Sequence, residues 1–96
     1  MRPSDALQGK HEIVRAIVAR HGAGNVRVFG SALSGSDENN SDLDLLVDVE
    51  PETSLLDLVK AQREIEEALG VPVELLTSED LPETFREAIL VRAKPL

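Results

Sequence analysis

Eight residues near the middle of the chain leave few choices of backbone. From Asp42 to Val49 the sequence alternates, with Leu43, Leu45, Val47 and Val49 on one side and Asp42, Asp44, Leu46 and Asp48 on the other. A period of two makes this a strand with one face in a core. Asp42 and Asp44 then point the same way, about 7 Å apart. At an effective dielectric of about 20 such a pair repels by about 2 kcal/mol, and Asp is a poor strand former in any case. A divalent cation would offset the repulsion, and Mg²⁺ takes a few carboxylates together with phosphate oxygens. Just upstream stands Phe29-Gly30-Ser31. A glycine directly after a strand allows a sharp turn and a close approach to a ligand. If Ser31-Ala32-Leu33 opens a helical turn, its free amides face an anion. A lone Asp-x-Asp would read as a solvated strand start; Gly30-Ser31 beside it favours a metal and phosphate site.

The flanking segments supply a small α/β frame. Ser4 or Asp5 can cap a first helix whose stripe is Leu7, Ile13, Val14, Ile17 and Val18, with Gly9 weakening its first turn and His21-Gly22 ending it. Asn25 to Phe29 reads as the first strand, and Ser34 to Asn40 as a polar loop. Thr53 or Ser54 caps a long helix with the stripe Leu55, Leu58, Ala61, Ile65, Ala68 and Leu69, closed by Gly70. Val71 to Leu76 is a third strand. A last helix runs from Glu83 to about Val91, its apolar side being Phe85, Ile89 and Leu81. If the end of strand one and the start of strand two flank one site, the two are antiparallel. The strand–helix–strand unit that follows suits a parallel crossover. On strand three Glu74 faces away from Val73 and Leu75. Neighbouring strands lie about 4.8 Å apart, so Glu74 can join Asp44 if the register allows.

Composition narrows the function. Ninety-six residues without a repeat suggest one domain, residues 1–96. Phe29 and Phe85 are the only aromatics, so the core must be aliphatic. A net charge of −8 argues against stable nucleic-acid binding and against anionic membranes. The absence of cysteine excludes thiolate chemistry. No apolar run reaches membrane-spanning length, and Met1 to Asp5 lack a signal-peptide core, so the cytoplasm is the expected place. Two look-alikes fail. Gly30-x4-Gly35 has P-loop spacing, but Ser36-Asp37 replaces the Lys-Ser/Thr. Asp37, Asn39 and Ser41 resemble a calcium loop, but Asp42 occupies its glycine position.

Gly30-Ser31, Gly35 and Ser41-Asp42-Leu43-Asp44-Leu45 together resemble the signature of the polymerase-beta-like nucleotidyltransferase superfamily. Size and C-terminal pattern are similar to its minimal nucleotidyltransferase branch, of antitoxin type. The resemblance implies a small mixed-sheet nucleotidyltransferase fold with flanking helices. It implies transfer of NMP, with AMP from ATP foremost, to an acceptor hydroxyl, releasing pyrophosphate. Asp42, Asp44 and Glu74 would be catalytic and would hold two Mg²⁺ ions, and Val73-Glu74-Leu75 fits the family's pattern for the third carboxylate. Gly30 and Ser31 would hold the β- and γ-phosphates. The implied partner is a HEPN-type helical protein, contacted through exposed apolar positions on the last helix or around Leu46. Two other roles remain open: a non-catalytic antitoxin acting by occlusion, and an accessory domain for nucleotidylation of small molecules. Many small members carry arginine where this chain has Ser34; Arg27, Lys60 or a partner would then supply that charge.

Overall fold

Glycine 9 divides the N-terminal stripe. In the computed structural model, which describes residues 1–96, α1 (Pro3–Leu7) and α2 (His11–Arg20) are separate helices. Gly9 takes φ 75°, a left-handed conformation that breaks the helix instead of merely weakening it. Neither Ser4 nor Asp5 caps α1. Arg2 holds the cap position with extended backbone and Pro3 begins the first turn, where its missing amide costs nothing. Val14, Ile17 and Val18 face the core, while Ile13 is 42% exposed at the edge of the stripe.

The sheet has the order β3-β2-β1-β4. Strand β1 (Ala23–Phe29) runs antiparallel to β2 (Leu43–Val49), and β2 runs parallel to β3 (Val73–Leu76), as the shared-site and crossover arguments require. Strand β1 starts two residues earlier than the sequence suggests. Asn25, at φ 50°, marks an irregularity where the β1–β2 register shifts between Gly24 and Arg27. The fourth strand, β4 (Lys94–Pro95), is antiparallel to β1 and has no sequence signal.

Helix α4 (Leu55–Leu69) joins β2 to β3. Ser54 caps it reciprocally: its hydroxyl accepts from the Asp57 amide at 3.2 Å, and its amide donates to Asp57 Oδ2 at 2.9 Å. Thr53 instead donates to the Gly22 carbonyl at 2.6 Å. Ala61, Ile65 and Leu69 are buried, but Leu55 is 79% exposed and Ala68 is exposed, so the start of the expected stripe and Ala68 lie off the contact face. Along the margin of the sheet, Glu66 Oε2 accepts from the Val73 amide at 2.9 Å and Gln62 Oε1 from the Leu75 amide at 3.1 Å.

The main core joins α1, α2 and α4 to one sheet face and is wholly aliphatic. A second cluster lies on the other face, where Phe29, Leu46 and Leu81 meet Ile89 and Ala93 of and just beyond α5 (Glu83–Arg92). It brings two corrections. Leu46 is fully buried and offers nothing to a partner, because Leu81 and α5 cover it. Phe85 is 62% exposed: it shares a face of α5 with Ile89, but only Ile89 packs on the cluster, and Phe85 stands on the wall of an open cavity. No helix is long and apolar enough to cross a membrane.

Candidate active site

The site begins where β1 ends. Phe29 pairs with Asp44 across the β1–β2 ladder, and Gly30 follows at once. Gly30 has φ 73° and ψ −150°, a region essentially reserved for glycine. A Cβ at this position would also collide with Asp44 Oδ2, so the turn passes directly over that carboxylate. The Gly30 carbonyl accepts from the Leu33 and Ser34 amides, both at 3.2 Å, and this starts the short helix α3 (Ser31–Ser34). The expected helical turn after the glycine is therefore present, with Ser31 as its first residue.

Between α3 and β2 the chain crosses a polar loop whose anchor is Asp37, only 5% exposed. Its carboxylate accepts from the Ser4 amide at 2.8 Å, the Ser4 hydroxyl at 3.0 Å and Arg2 at 2.8 Å. Arg2 also donates to the Gly35 carbonyl at 3.0 Å. The Ser4 amide foremost, then Arg2 and the Ser4 hydroxyl, hold Asp37 down to about 2 against its burial. In the sequence Asp37 stands out only within two motifs that fail, the P-loop and the calcium loop. Its partners lie more than thirty residues upstream, and no local pattern connects them.

Beyond the loop, Asp42 precedes β2 and Asp44 is its second residue. Asp44 pairs with Glu74 of β3 in the β2–β3 ladder, the register the sequence reading needed. Phe29, Asp44 and Glu74 thus form one row across three strands. Asp44 is half-buried, Asp42 and Glu74 are exposed. Burial first, then the negative charges of Glu74 and Asp42 and a hydrogen bond with Glu74, push Asp44 up to about 6. The three carboxylates are not drawn into a closed ligand cluster. Their chemistry nevertheless fits a hard divalent cation: all donors are oxygen, two of the side chains are free to turn, and the repulsion that raises Asp44 is what a cation would relieve.

A cavity of about 460 Å³ opens beside Gly30, with Phe29, Leu33, Ser34, Phe85 and Arg92 among its walls. Of the cations suggested by sequence, Arg27 is engaged by Asp48 Oδ1 at 2.8 Å and the Asn25 carbonyl at 2.9 Å. Lys60 lies on α4, which covers the other sheet face. Asp48 serves that ion pair, held below the usual carboxylate range by Asn25 foremost and then Arg27.

Comparison with known proteins identifies the fold and the family. The family model described as a nucleotidyltransferase domain matches residues 11–96. "Putative protein adenylyltransferase MJ0435" of Methanocaldococcus jannaschii is 36% identical over 86 residues, covering 86% of this chain and 92% of that protein. Protein adenylyltransferase MntA of Thermococcus cleftensis is 34% identical over 71 residues, or 74% of this chain and 72% of that one. Among solved structures, a minimal nucleotidyltransferase superposes with a TM-score of 0.86 at 41% identity, covering 97% and 95% of the two chains. A toxin–antitoxin structure with AMP-PNP shares the fold, at a TM-score of 0.73 and 17% identity over 91% and 71%. A family model that spans most of the chain and relatives at 34–36% identity settle the matter: the chain belongs to the nucleotidyltransferase domain family.

Proposed function

We propose that this chain is a protein adenylyltransferase of antitoxin type: it moves AMP from ATP to a hydroxyl on a HEPN-type helical partner protein. The observation that carries the reading is the Asp44–Glu74 register pair lying under the Gly30 turn. The names of the two relatives support the choice of acceptor. Asp42, Asp44 and Glu74 would hold Mg²⁺, two ions when nucleotide is present. Bound there, Mg²⁺ would neutralise charge on the α-phosphate and on the departing pyrophosphate. Gly30 and Ser31 position the β- and γ-phosphates, because the missing side chain at Gly30 lets the nucleotide come close to the backbone. Glu74 receives the acceptor's proton as the new O–P bond forms and the α–β P–O bond breaks. That proton then passes to solvent. The cytoplasm is the compartment this reading favours, since ATP is abundant there.

The occlusion reading has an observation of its own. Helix α5 leaves Phe85 62% and Val91 79% exposed, apolar side chains that could bind a partner without any chemistry. Co-expression with the partner, as wild type and as Asp44→Ala, separates the two. Under transfer, the wild type adds the mass of AMP to the partner and suppresses its toxicity, and the variant does neither. Equal suppression by the variant without added mass would leave occlusion standing. No association in either case would leave nucleotidylation of small molecules.

A further inference from the structure

We propose that Arg92 binds the phosphate chain of the nucleotide from the side of the Gly30 turn opposite to the carboxylates. The proposal rests on the nucleotidyl-transfer reading above and adds to it the cation that the glycine turn itself lacks. Strand β4 pairs Lys94 with Val28 and Pro95 with Arg27, antiparallel to β1. Followed toward the end of β1, that register brings Arg92 alongside Gly30. The two residues, together with Ser34, line the same cavity, and Arg92 is its only cation.

The backbone at this point is held firmly. The Ala93 amide donates to the Ile89 carbonyl at 2.8 Å and the Leu96 amide to the Val26 carbonyl at 3.0 Å, while Ile89 and Ala93 pack on the Phe29–Leu46–Leu81 cluster. The side chain is exposed and uncommitted. Arg2, Arg15, Arg20 and Arg27 are each paired with a carboxylate, and Arg86 donates to three backbone carbonyls; Arg92 has neither kind of partner. A triphosphate brought to a chain of net charge −8, beside Asp42, Asp44 and Glu74, needs positive charge near it. A guanidinium supplies that charge with a planar fork that fits phosphate oxygens in pairs.

The test uses the full chain with Mg²⁺ and measures binding of a non-hydrolysable ATP analogue and of AMP, along with AMP transfer to the partner. Arg92→Ala should weaken the triphosphate analogue about tenfold, equivalent to about 1.4 kcal/mol, and leave AMP affinity and melting temperature unchanged. Arg92→Lys should restore part of the loss. Unchanged triphosphate affinity in Arg92→Ala, with transfer still abolished by Asp44→Asn, would overturn the role of Arg92 and leave the transfer reading intact. Equal weakening of AMP and of the analogue would likewise overturn it. A wild type that neither binds the analogue nor transfers AMP would bring down the transfer reading and Arg92 with it.

Discussion

Replacing Asp44 by Asn keeps the shape of the side chain and removes its charge, so it separates the electrostatic load of the site from its packing. Asp44 rises from 3.8 to about 6 on folding. At about 1.36 kcal/mol per unit, two units correspond to about 3 kcal/mol. The carboxyl is only half-buried, so solvent screening reduces this to about 1 kcal/mol. Because the folded pKa is the higher one, the native state binds the extra proton. The stability it lends is complete below about pH 4 and is lost as the pH rises through about 6. Melting curves recorded without divalent cations from pH 3.5 to 8 should therefore diverge. Wild type should fall behind Asp44→Asn between about pH 4 and 6, and at pH 7.5 the variant should melt roughly 5 °C higher. Mg²⁺ added at pH 7.5 should raise the wild type and barely move the variant, which should also have lost transfer. Parallel curves for the two proteins across this range would refute the claim that Asp44 carries repulsion in the folded chain. An equal response to Mg²⁺ in both would refute its part in holding the ion.

Gly30→Ala forces a side chain into a glycine-only conformation against Asp44; it should lower stability by about 1–3 kcal/mol and abolish transfer, both read from melting and labelled AMP incorporation. Asp37→Asn should melt below wild type at neutral pH, and the gap should close as the pH falls from about 4 toward 2, since the folded pKa of Asp37 is the lower one; a gap that persists at pH 2 would contradict the Ser4–Arg2 network as its origin. Phe85→Ser should change stability by less than about 0.5 kcal/mol, because the ring is 62% exposed, yet should weaken capture of the partner in a pull-down; undiminished capture would remove α5 from the interface.

Period-two alternation made β2 legible, and with it the direction of Asp42 and Asp44. Glu74 was legible as a polar residue facing away from Val73 and Leu75, but the register that joins it to Asp44 was not, because period two gives a face and no alignment between strands. What the sequence hid was of three kinds. Hydrophobic periodicity runs through Gly9 without reporting its φ, so two helices read as one. A stripe on a helix says which residues share a side but not what covers them. Leu46 looked open and is sealed by Leu81, while Phe85 looked buried and is not. Contacts between distant segments leave no local trace. The hold of Arg2 and Ser4 on Asp37, and the two-residue β4 that sets Arg92 beside Gly30, come from chain closure alone.

The side chains of Gln62 and Glu66 have a consequence for how this molecule can meet others. A bare outer strand is an invitation to any extended peptide, since its outward amides and carbonyls can zip onto a newcomer. Here α4 answers the outward amides of Val73 and Leu75 from within the same chain. At the opposite margin β4 is two residues long and one of them, Pro95, has no amide to offer. On the β3 side the two α4 contacts leave fewer free amides for a foreign strand to pair with, which disfavours lengthening of the sheet from that edge. Edge pairing being disfavoured there, helices and loops become the more accessible surfaces for recognition, as the proposed helical partner would need.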